Sequence, residues 1–339
     1  MTPEPPVPTG PTVADASEDG LLAGIFPLLP RGGATLLGPG DDAAVVSAPD
    51  GRVVVSTDVL VEGRHFRREW SSGEDVGRRA AVQNLADIAA MGARPTSLVV
   101  GLVAPADLPV DWVTGFARGL AAACGPHDVG VVGGDLSGGD TVVVSVTVHG
   151  DLAGRAPVLR SGARPGDVVA HAGVRGRSAA GLALLTAGRG DAWPQLVDAY
   201  LRPQSPLAAG PAAAAAGATA MLDVSDGLLR DAGRIARASG VVLDLDDVAC
   251  AFAADLEALA GAAAALGQSA SQWVLTGGED HGLLATFPAG ARLPPPFRAV
   301  GRVRAAHDGG QDGDRHATGV LVAGRPPGPI SPGWDHFAR

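Results

Sequence analysis

An α+β fold in two α/β domains is what this sequence predicts, and three observations carry it. Short Val-rich runs ended by Gly or Asp alternate with longer stretches of helical period. The two kinds of element are interleaved without strict βαβα order, which disfavours a doubly wound sheet. At 339 residues the chain exceeds one ordinary domain, and its 46% apolar content is ample for a core.

Residues 1–19, rich in Pro, Thr and acid, are expected to form a disordered tail. A first domain is expected over 20–150. Ala43 to Ser47 and Arg52 to Asp58 read as strands. Glu74 to Met91 reads as a helix, with acids in its first turn and Gly92 as its stop. Thr96 to Ala104 is a strand, Val110 to Cys124 a helix, and Val129 to Val132 and Thr141 to Val148 are strands. The second domain is expected over 151–339. Its strands are placed at Asp167–His171, Ala220–Leu222, Val241–Leu245, Gln272–Leu275, His281–Phe287, Arg298–Val303 and Thr318–Val322. Its helices are placed at Ser178–Ala187, Leu207–Gly217, Leu228–Ser239 and Phe252–Leu266. The Arg-rich segment Gly173–Ser178 reads as a solvated loop, and Ala305–Arg315 as a mobile one.

Composition removes several functions. All 26 basic residues are Arg. Without Lys there is no Walker A motif and no Schiff-base chemistry. Phosphate must therefore be held by Arg, backbone N–H groups or metal. A net charge of −10 argues against a nucleic-acid groove. No secretory signal and no run long enough to cross a bilayer is found, so a cytoplasmic protein without a membrane partner is expected. Cys124 and Cys250 lie in no metal-ligand pattern and read as two buried free thiols.

Five acidic motifs interrupt or end apolar runs: Gly40-Asp41-Asp42, Ser56-Thr57-Asp58, Asn84-Leu85-Ala86-Asp87, Gly133-Gly134-Asp135 and Asp223-Val224-Ser225-Asp226-Gly227. Gathered by a fold, they would offer oxygen ligands to hard cations such as Mg²⁺, which is typically bound through one or two carboxylates plus substrate phosphates. Each motif also has a plain structural reading. Asp42 can belong to a solvated turn, Ser56, Thr57 and Asp58 to a polar strand end, and Gly134 with Asp135 to an ordinary turn. Asp226 can be a helix N-cap. Asp87 stands among apolar helix residues, where an acid is costly unless paired or metal-bound. Thr276-Gly277-Gly278-Glu279-Asp280 repeats the Gly-Gly-acid form; Glu279 can face a metal or a substrate cation, or close a hairpin. His65, at the end of Glu62-Gly63-Arg64-His65, reads by itself as structural.

Taken in order, these segments, with Asn84–Pro95, Arg160–Asp167, Leu222–Leu228 and the ending Trp334-Asp335-His336-Phe337, resemble the thiamine-monophosphate kinases of the aminoimidazole ribonucleotide synthetase-like ATP-binding superfamily. The resemblance spans roughly residues 20 to 337. It implies ATP-dependent phosphorylation of thiamine monophosphate to thiamine diphosphate, with several Mg²⁺ ions and no protein nucleophile. By similarity, Asp42, Ser56, Thr57, Asp58, Asp87, Asp135, Asp223 and Asp226 are metal positions. Gly134, Asp135, Arg160 and Ser225 are ATP contacts. His65, Glu279 and Trp334 are contacts to thiamine monophosphate. It further implies a homodimer formed through the N-terminal mixed sheet, and a C-terminal α/β domain covering the ATP site. Where the family commonly carries Tyr after Gly-Gly-Glu-Asp, this chain has His281. Two other readings stay open: another ATP-using member of the superfamily, and a protein that binds ATP and metal without turnover.

Overall fold

In the computed structural model, which describes residues 10–39, 43–306, 319–328, 333 and 334, the Val-rich runs pair into sheets and the periodic stretches form helices, giving a mixed α/β structure. The chain divides into two units, Met1–Ile88 with Pro95–Ala153, and Ala89–Arg94 with Gly154–Arg339.

The first unit opens with α1 (Glu18–Ile25), followed by a small antiparallel ribbon of β1 (Thr35–Leu37) and β2 (Val45–Val46). Its main elements are β3 (Val54–Val61), α2 (Gly73–Ala90), β4 (Arg94–Ala104), α3 (Val110–Cys124), β5 (Gly130–Gly138) and β6 (Val143–Asp151). The four strands form one sheet in the order β3-β6-β4-β5, with β3 antiparallel to β6 and β4 parallel to β5. The two-residue side-chain period separates the faces. Leu60, Val144, Val146 and Val148 are buried together with Leu85 and Ile88 of α2 and Phe116 of α3. On the other face of β3, Val55 and Val59 are 58% and 46% exposed. The helices cross closely because glycine stands at the contact. A Cβ on Gly77 would lie 2.2 Å from the Phe116 carbonyl oxygen, and one on Gly119 2.2 Å from that of Glu74.

The second unit contains β7 (Val168–Ala172), α4 (Arg177–Thr186), α5 (Pro194–Leu201), α6 (Ala209–Ala215), β8 (Ala220–Val224), α7 (Leu228–Ser239), β9 (Val241–Leu245), α8 (Val248–Ala251), α9 (Ala253–Leu266), α10 (Ala270–Thr276), β10 (Gly282–Phe287), β11 (Arg298–Ala305) and β12 (Gly319–Val322). Its six-stranded sheet has the order β12-β9-β11-β7-β10-β8, antiparallel except where β12 pairs with β9. Leu222, Val224 and Leu284 of the sheet share one apolar core with Leu184, Leu228, Ile235, Leu259 and Val274 of the helices. Alternation along β8 therefore turns Asp223 to the opposite face.

Several expectations are corrected. Gln272–Leu275 is not a strand but part of α10, started by the Ser269 hydroxyl, which accepts the Gln272 N–H at 3.3 Å. That Ser-x-x-Gln spacing is a capping signal, and it outweighs the β-like Trp-Val pair. The described part of the expected tail, from residue 10, is bonded to the first unit: the Val13 and Ala14 N–H groups donate to the Leu108 and Ala106 carbonyls, and α1 starts at Glu18. β5 does not stop at Val132 but runs through Gly133, Gly134 and Asp135. The Gly173–Ser178 segment is not a solvated loop: Arg175 is fully buried. Asp42, most of the expected loop Ala305–Arg315, and Asp335 to Phe337 lie outside the described residues. Among those described, no helix is long and apolar enough to cross a membrane.

Both cysteines are free, but only Cys124 is buried; Cys250, on the short α8, is exposed. Burial pushes the Cys124 thiol up to about 12, so it stays protonated and unreactive. Iodoacetamide at pH 8 is expected to label the native protein once, at Cys250, and the guanidinium-unfolded protein twice. Peptide mapping reads the difference; labelling of Cys124 in the native state would contradict the burial.

Candidate functional site

In the first unit, β3 and α2 bring three expected positions to one side of the sheet. Ser56 and Asp58 share a face of β3 by alternation, and Thr57 takes the other. The Ser56 hydroxyl donates to Asp87 Oδ2 at 2.6 Å. The Asp58 N–H donates to Asn84 Oδ1 at 3.1 Å, and Asn84 Nδ2 donates to the Ala80 carbonyl at 2.8 Å. Asn84, completely buried, thus ties the strand that carries Ser56 and Asp58 to the helix that carries Asp87. Sequence reading quoted Asn84 within a motif but gave it no role; a fully apolar helix face interrupted at 84 and 87 was the signal. Thr57 is elsewhere: its hydroxyl donates to the Val146 carbonyl at 2.9 Å and accepts from Thr147 at 3.1 Å on the open face.

His65 sits in the turn that closes β3. Its Nδ1 accepts the Val61 N–H at 2.9 Å, which leaves the ring proton of the neutral form on Nε2. At the far edge of the sheet, Asp135 is exposed and Ser137 donates to its Oδ2 at 3.0 Å. Gly134 is required by its neighbour strand: a Cβ there would stand 2.0 Å from the Val100 carbonyl oxygen. Both residues line a cavity of about 680 Å³ together with Leu22, Phe26, Val46 and His149. A largely apolar cavity with a carboxylate and bare strand backbone in its wall suits a flat heterocycle carrying polar groups.

In the second unit the end of β8 is the organising segment. The carbonyl of Ser225 accepts the Glu279 N–H at 2.8 Å, and the next carbonyl, of Asp226, accepts the Trp334 N–H at 2.9 Å. Two residues expected at the substrate are therefore seated on two expected for ATP and metal. Trp334 is 50% exposed. Asp223 is buried, with His281 Nδ1 3.4 Å from its Oδ2. The other ring nitrogen of His281 stands 3.7 Å from Glu279 Oε2, an ion-pair contact beyond hydrogen-bond length. Burial works against a charged imidazole here, but the Asp223 and Glu279 carboxylates outweigh it and push His281 up to about 10. The ring is a cation at neutral pH, lodged between two acids.

Asp226 is not the N-cap of α7; Gly227 occupies that position. The cap works backwards, with Asp231 of the first turn accepting the Asp226 N–H at 3.0 Å. Arg234 bridges the two acids, reaching Asp226 Oδ2 and Asp231 Oδ1 at 2.5 Å each, and Arg230 lies 3.8 Å from Asp226. Asp231, Arg230 and Arg234 were not singled out from the sequence; the i+4 and i+8 spacing of the two arginines from Asp226 was the available signal. Arg160 is exposed, and its carbonyl accepts from the Ser239 hydroxyl at 3.1 Å.

The loop that carries Glu279 is fixed from below. Arg175 and Asp280, 0% and 1% exposed, face each other at 3.4 Å. Removing one member of such a buried pair costs about 3–5 kcal/mol, because the survivor is left charged and dry. Among the described residues, no cluster of three or more His, Cys, Asp or Glu side chains is placed to hold a metal by itself. The donors at Ser56, Asp58 and Asp87 are all oxygen, the class that suits Mg²⁺, a cation bound with few protein carboxylates and completed by phosphate and water.

Family comparisons place the chain. The profile described as AIR synthase related protein, N-terminal domain, matches residues 40–152, and that for the C-terminal domain matches residues 164–283. A thiamine-monophosphate kinase of Mycobacterium tuberculosis is 55% identical over 268 residues, 79% of each chain. That of Corynebacterium glutamicum is 43% identical over 335 residues, covering 97% of this chain and 96% of its own. Among solved structures, AaThiL complexed with AMPPCP and TMP aligns with a TM-score of 0.72 at 32% identity, covering 88% of this chain and 91% of that one.

Burial pushes the Asp231 carboxyl up to about 6, against the pull of Arg234 and with Asp223 and Asp226 adding to the rise. A folded value above the unfolded one contributes stability that is complete below pH 4 and is lost as pH rises through 6. Denaturant melts of the ligand-free protein at pH 4, 5, 6 and 7 are expected to show its stability falling relative to Asp231→Asn, by on the order of 3 kcal/mol. A difference between the two proteins that does not change with pH would contradict this.

Proposed function

This chain belongs to the AIR synthase related family, among its thiamine-monophosphate kinases, and we propose that it transfers the γ-phosphoryl group of ATP to the phosphate of thiamine monophosphate, releasing thiamine diphosphate and ADP. The observation that carries this reading is the seating of Glu279 and Trp334 on the successive carbonyls of Ser225 and Asp226. It puts groups suited to a flat cation on the same segment as groups suited to phosphate. The relatives' names, and the ATP analogue and TMP bound in AaThiL, support it from outside the chain.

In this reading the acceptor's phosphate oxygen attacks the γ-phosphorus in line and ADP leaves with the bridging oxygen; no protein nucleophile takes part. Both reactants are anions, so charge neutralisation and positioning are what the protein must supply. Mg²⁺ is proposed at Asp42, Ser56, Asp58, Asp87, Asp135, Asp223 and Asp226, and not at Thr57, whose hydroxyl lies on the open face of β3; when bound, it would offset phosphate charge. Ser56 orients Asp87 by donating to one of its oxygens, and Asn84 fixes the strand that carries Asp58. Arg160, exposed, offers a planar donor fork to the triphosphate. Gly134, Asp135 and Ser225 are its other proposed contacts. On the acceptor, Trp334 would stack on the thiazolium ring and Glu279 offset its charge, with His65 as a further contact. We also propose a homodimer through the open sheet face of the first unit, where Val55 and Val59 leave apolar surface in water.

The test is purified protein with thiamine monophosphate, ATP and Mg²⁺, following thiamine diphosphate and ADP by chromatography. Equal amounts of both products, abolished by EDTA, are expected; ADP without thiamine diphosphate would sink the reading. Asp87→Asn is expected to lower kcat by at least roughly 100-fold with the circular dichroism spectrum unchanged. Near-native turnover in that variant would remove Asp87 from the metal positions. A phosphorylated protein trapped by rapid acid quench would refute direct transfer, and a monomer by sedimentation would refute the dimer.

A further inference from the structure

The segment Gly173–Ser178 carries the least expected group in the molecule. Arg175 is completely buried, although an Arg side chain ordinarily keeps its head in water. Its guanidinium faces a single neighbour, the stretch that ends α10 and leads to Glu279. Nη2 donates to the Gly277 carbonyl, Nε reaches the Val274 carbonyl at 3.4 Å, and Nη1 stands 3.4 Å from Asp280 Oδ2. Asp280 answers in the opposite direction. Its two oxygens accept the N–H groups of Gly176, at 2.6 Å, and Ser178, at 2.9 Å, at the start of α4. Each side chain thus grips the backbone of the segment that carries the other.

These contacts bracket Glu279. On its upstream side the Gly277 carbonyl is held, and on its downstream side Asp280 is held. Its own N–H is bonded to Ser225 at 2.8 Å. The backbone between is forced into an uncommon shape: Glu279 has φ +67° and His281 has φ +49°. Non-glycine residues keep left-handed torsions only where their surroundings over-determine them. A buried ion pair is a poor device for stability alone, since apolar side chains of equal volume often serve as well. It is a good device for fixing direction, because Arg donors and carboxylate lone pairs accept only certain geometries.

We propose that Arg175 and Asp280 are a positioning pair for the acceptor substrate, holding Glu279 against Ser225 so that its carboxylate meets the cationic ring of thiamine monophosphate. Neither residue reaches solvent, so neither touches the substrate. The inference rests on the reading of Glu279 given under the proposed function. It assigns a role to Asp280, which closes the Gly-Gly-Glu-Asp motif, and to Arg175.

Asp280→Asn keeps the size of the side chain and one acceptor oxygen while removing the charge. In steady-state assays it is expected to raise KM for thiamine monophosphate about tenfold and leave KM for ATP within about twofold. Because the pair acts through Glu279, adding Asp280→Asn to Glu279→Ala is expected to change KM by less than about twofold beyond Glu279→Ala alone. Hydrogen exchange of the ligand-free protein is expected to speed up at residues 277–281 while β10 keeps its protection. Should Asp280→Asn fail to fold, Arg175→Met with Asp280→Asn removes both charges together, and the same three readouts apply. A folded variant with unchanged KM for thiamine monophosphate overturns the proposal. So does an equal rise in both KM values, or full additivity with Glu279→Ala. If the wild-type protein makes no thiamine diphosphate, it is the functional reading that fails. Exchange at 277–281 then decides the pair alone, and unchanged protection overturns it.

Discussion

Carboxylates crowded at the end of β8 repel one another, and the second unit is organised around keeping them together. Asp223, Asp226, Asp231 and Glu279 converge there, close enough that Asp223 and Asp226 help raise Asp231. Left alone, such a group would protonate or spread apart. His281 is inserted between Asp223 and Glu279, and Arg234 between Asp226 and Asp231. The backbone contributes as well, since the Asp226 N–H points into Asp231. The segment is thereby held ready for cationic partners, with each acid already oriented by a protein charge.

In the first unit, the neutral side chains of Ser56 and Asn84 bond to the acidic segments. Asp87 lies partly buried on α2 and accepts from the Ser56 hydroxyl. Asn84 then spans helix and strand with one amide, accepting from Asp58 and donating to Ala80. In the second unit the arginines of α7 partly offset Asp226. Hydrogen bonds through Ser56 and Asn84 order the acidic segments near β3, and ion pairs through Arg234 hold Asp226 and Asp231 near β8.

This division gives physical content to features that the family motif only marks. Gly-Gly-Glu-Asp is a strained turn whose last residue is a fully buried anchor. Gly134 serves the close approach of two parallel strands before it serves any ligand. His281, where the resemblance implies Tyr, is compatible with the site because it brings a positive charge to two acids that a phenol could only hydrogen-bond.

By itself the sequence determined what depends on near neighbours. Period-two alternation put Ser56 and Asp58 on one face of β3 and Thr57 on the other. The spacing of the acidic motifs and the absence of Lys pointed to phosphate held by Arg and metal, and the ordered motifs pointed to the family. Ser269 and Gln272 carried a helix start that the β-like Trp-Val pair obscured. Tertiary structure alone decided what depends on distant partners: that Arg175 is buried, that Asp280 caps α4 across more than a hundred residues, and that Glu279 and Trp334 rest on consecutive carbonyls. Local periodicity reflects the torsions of a few residues, whereas these pairings exist only once packing excludes water and leaves each buried polar group a single available partner.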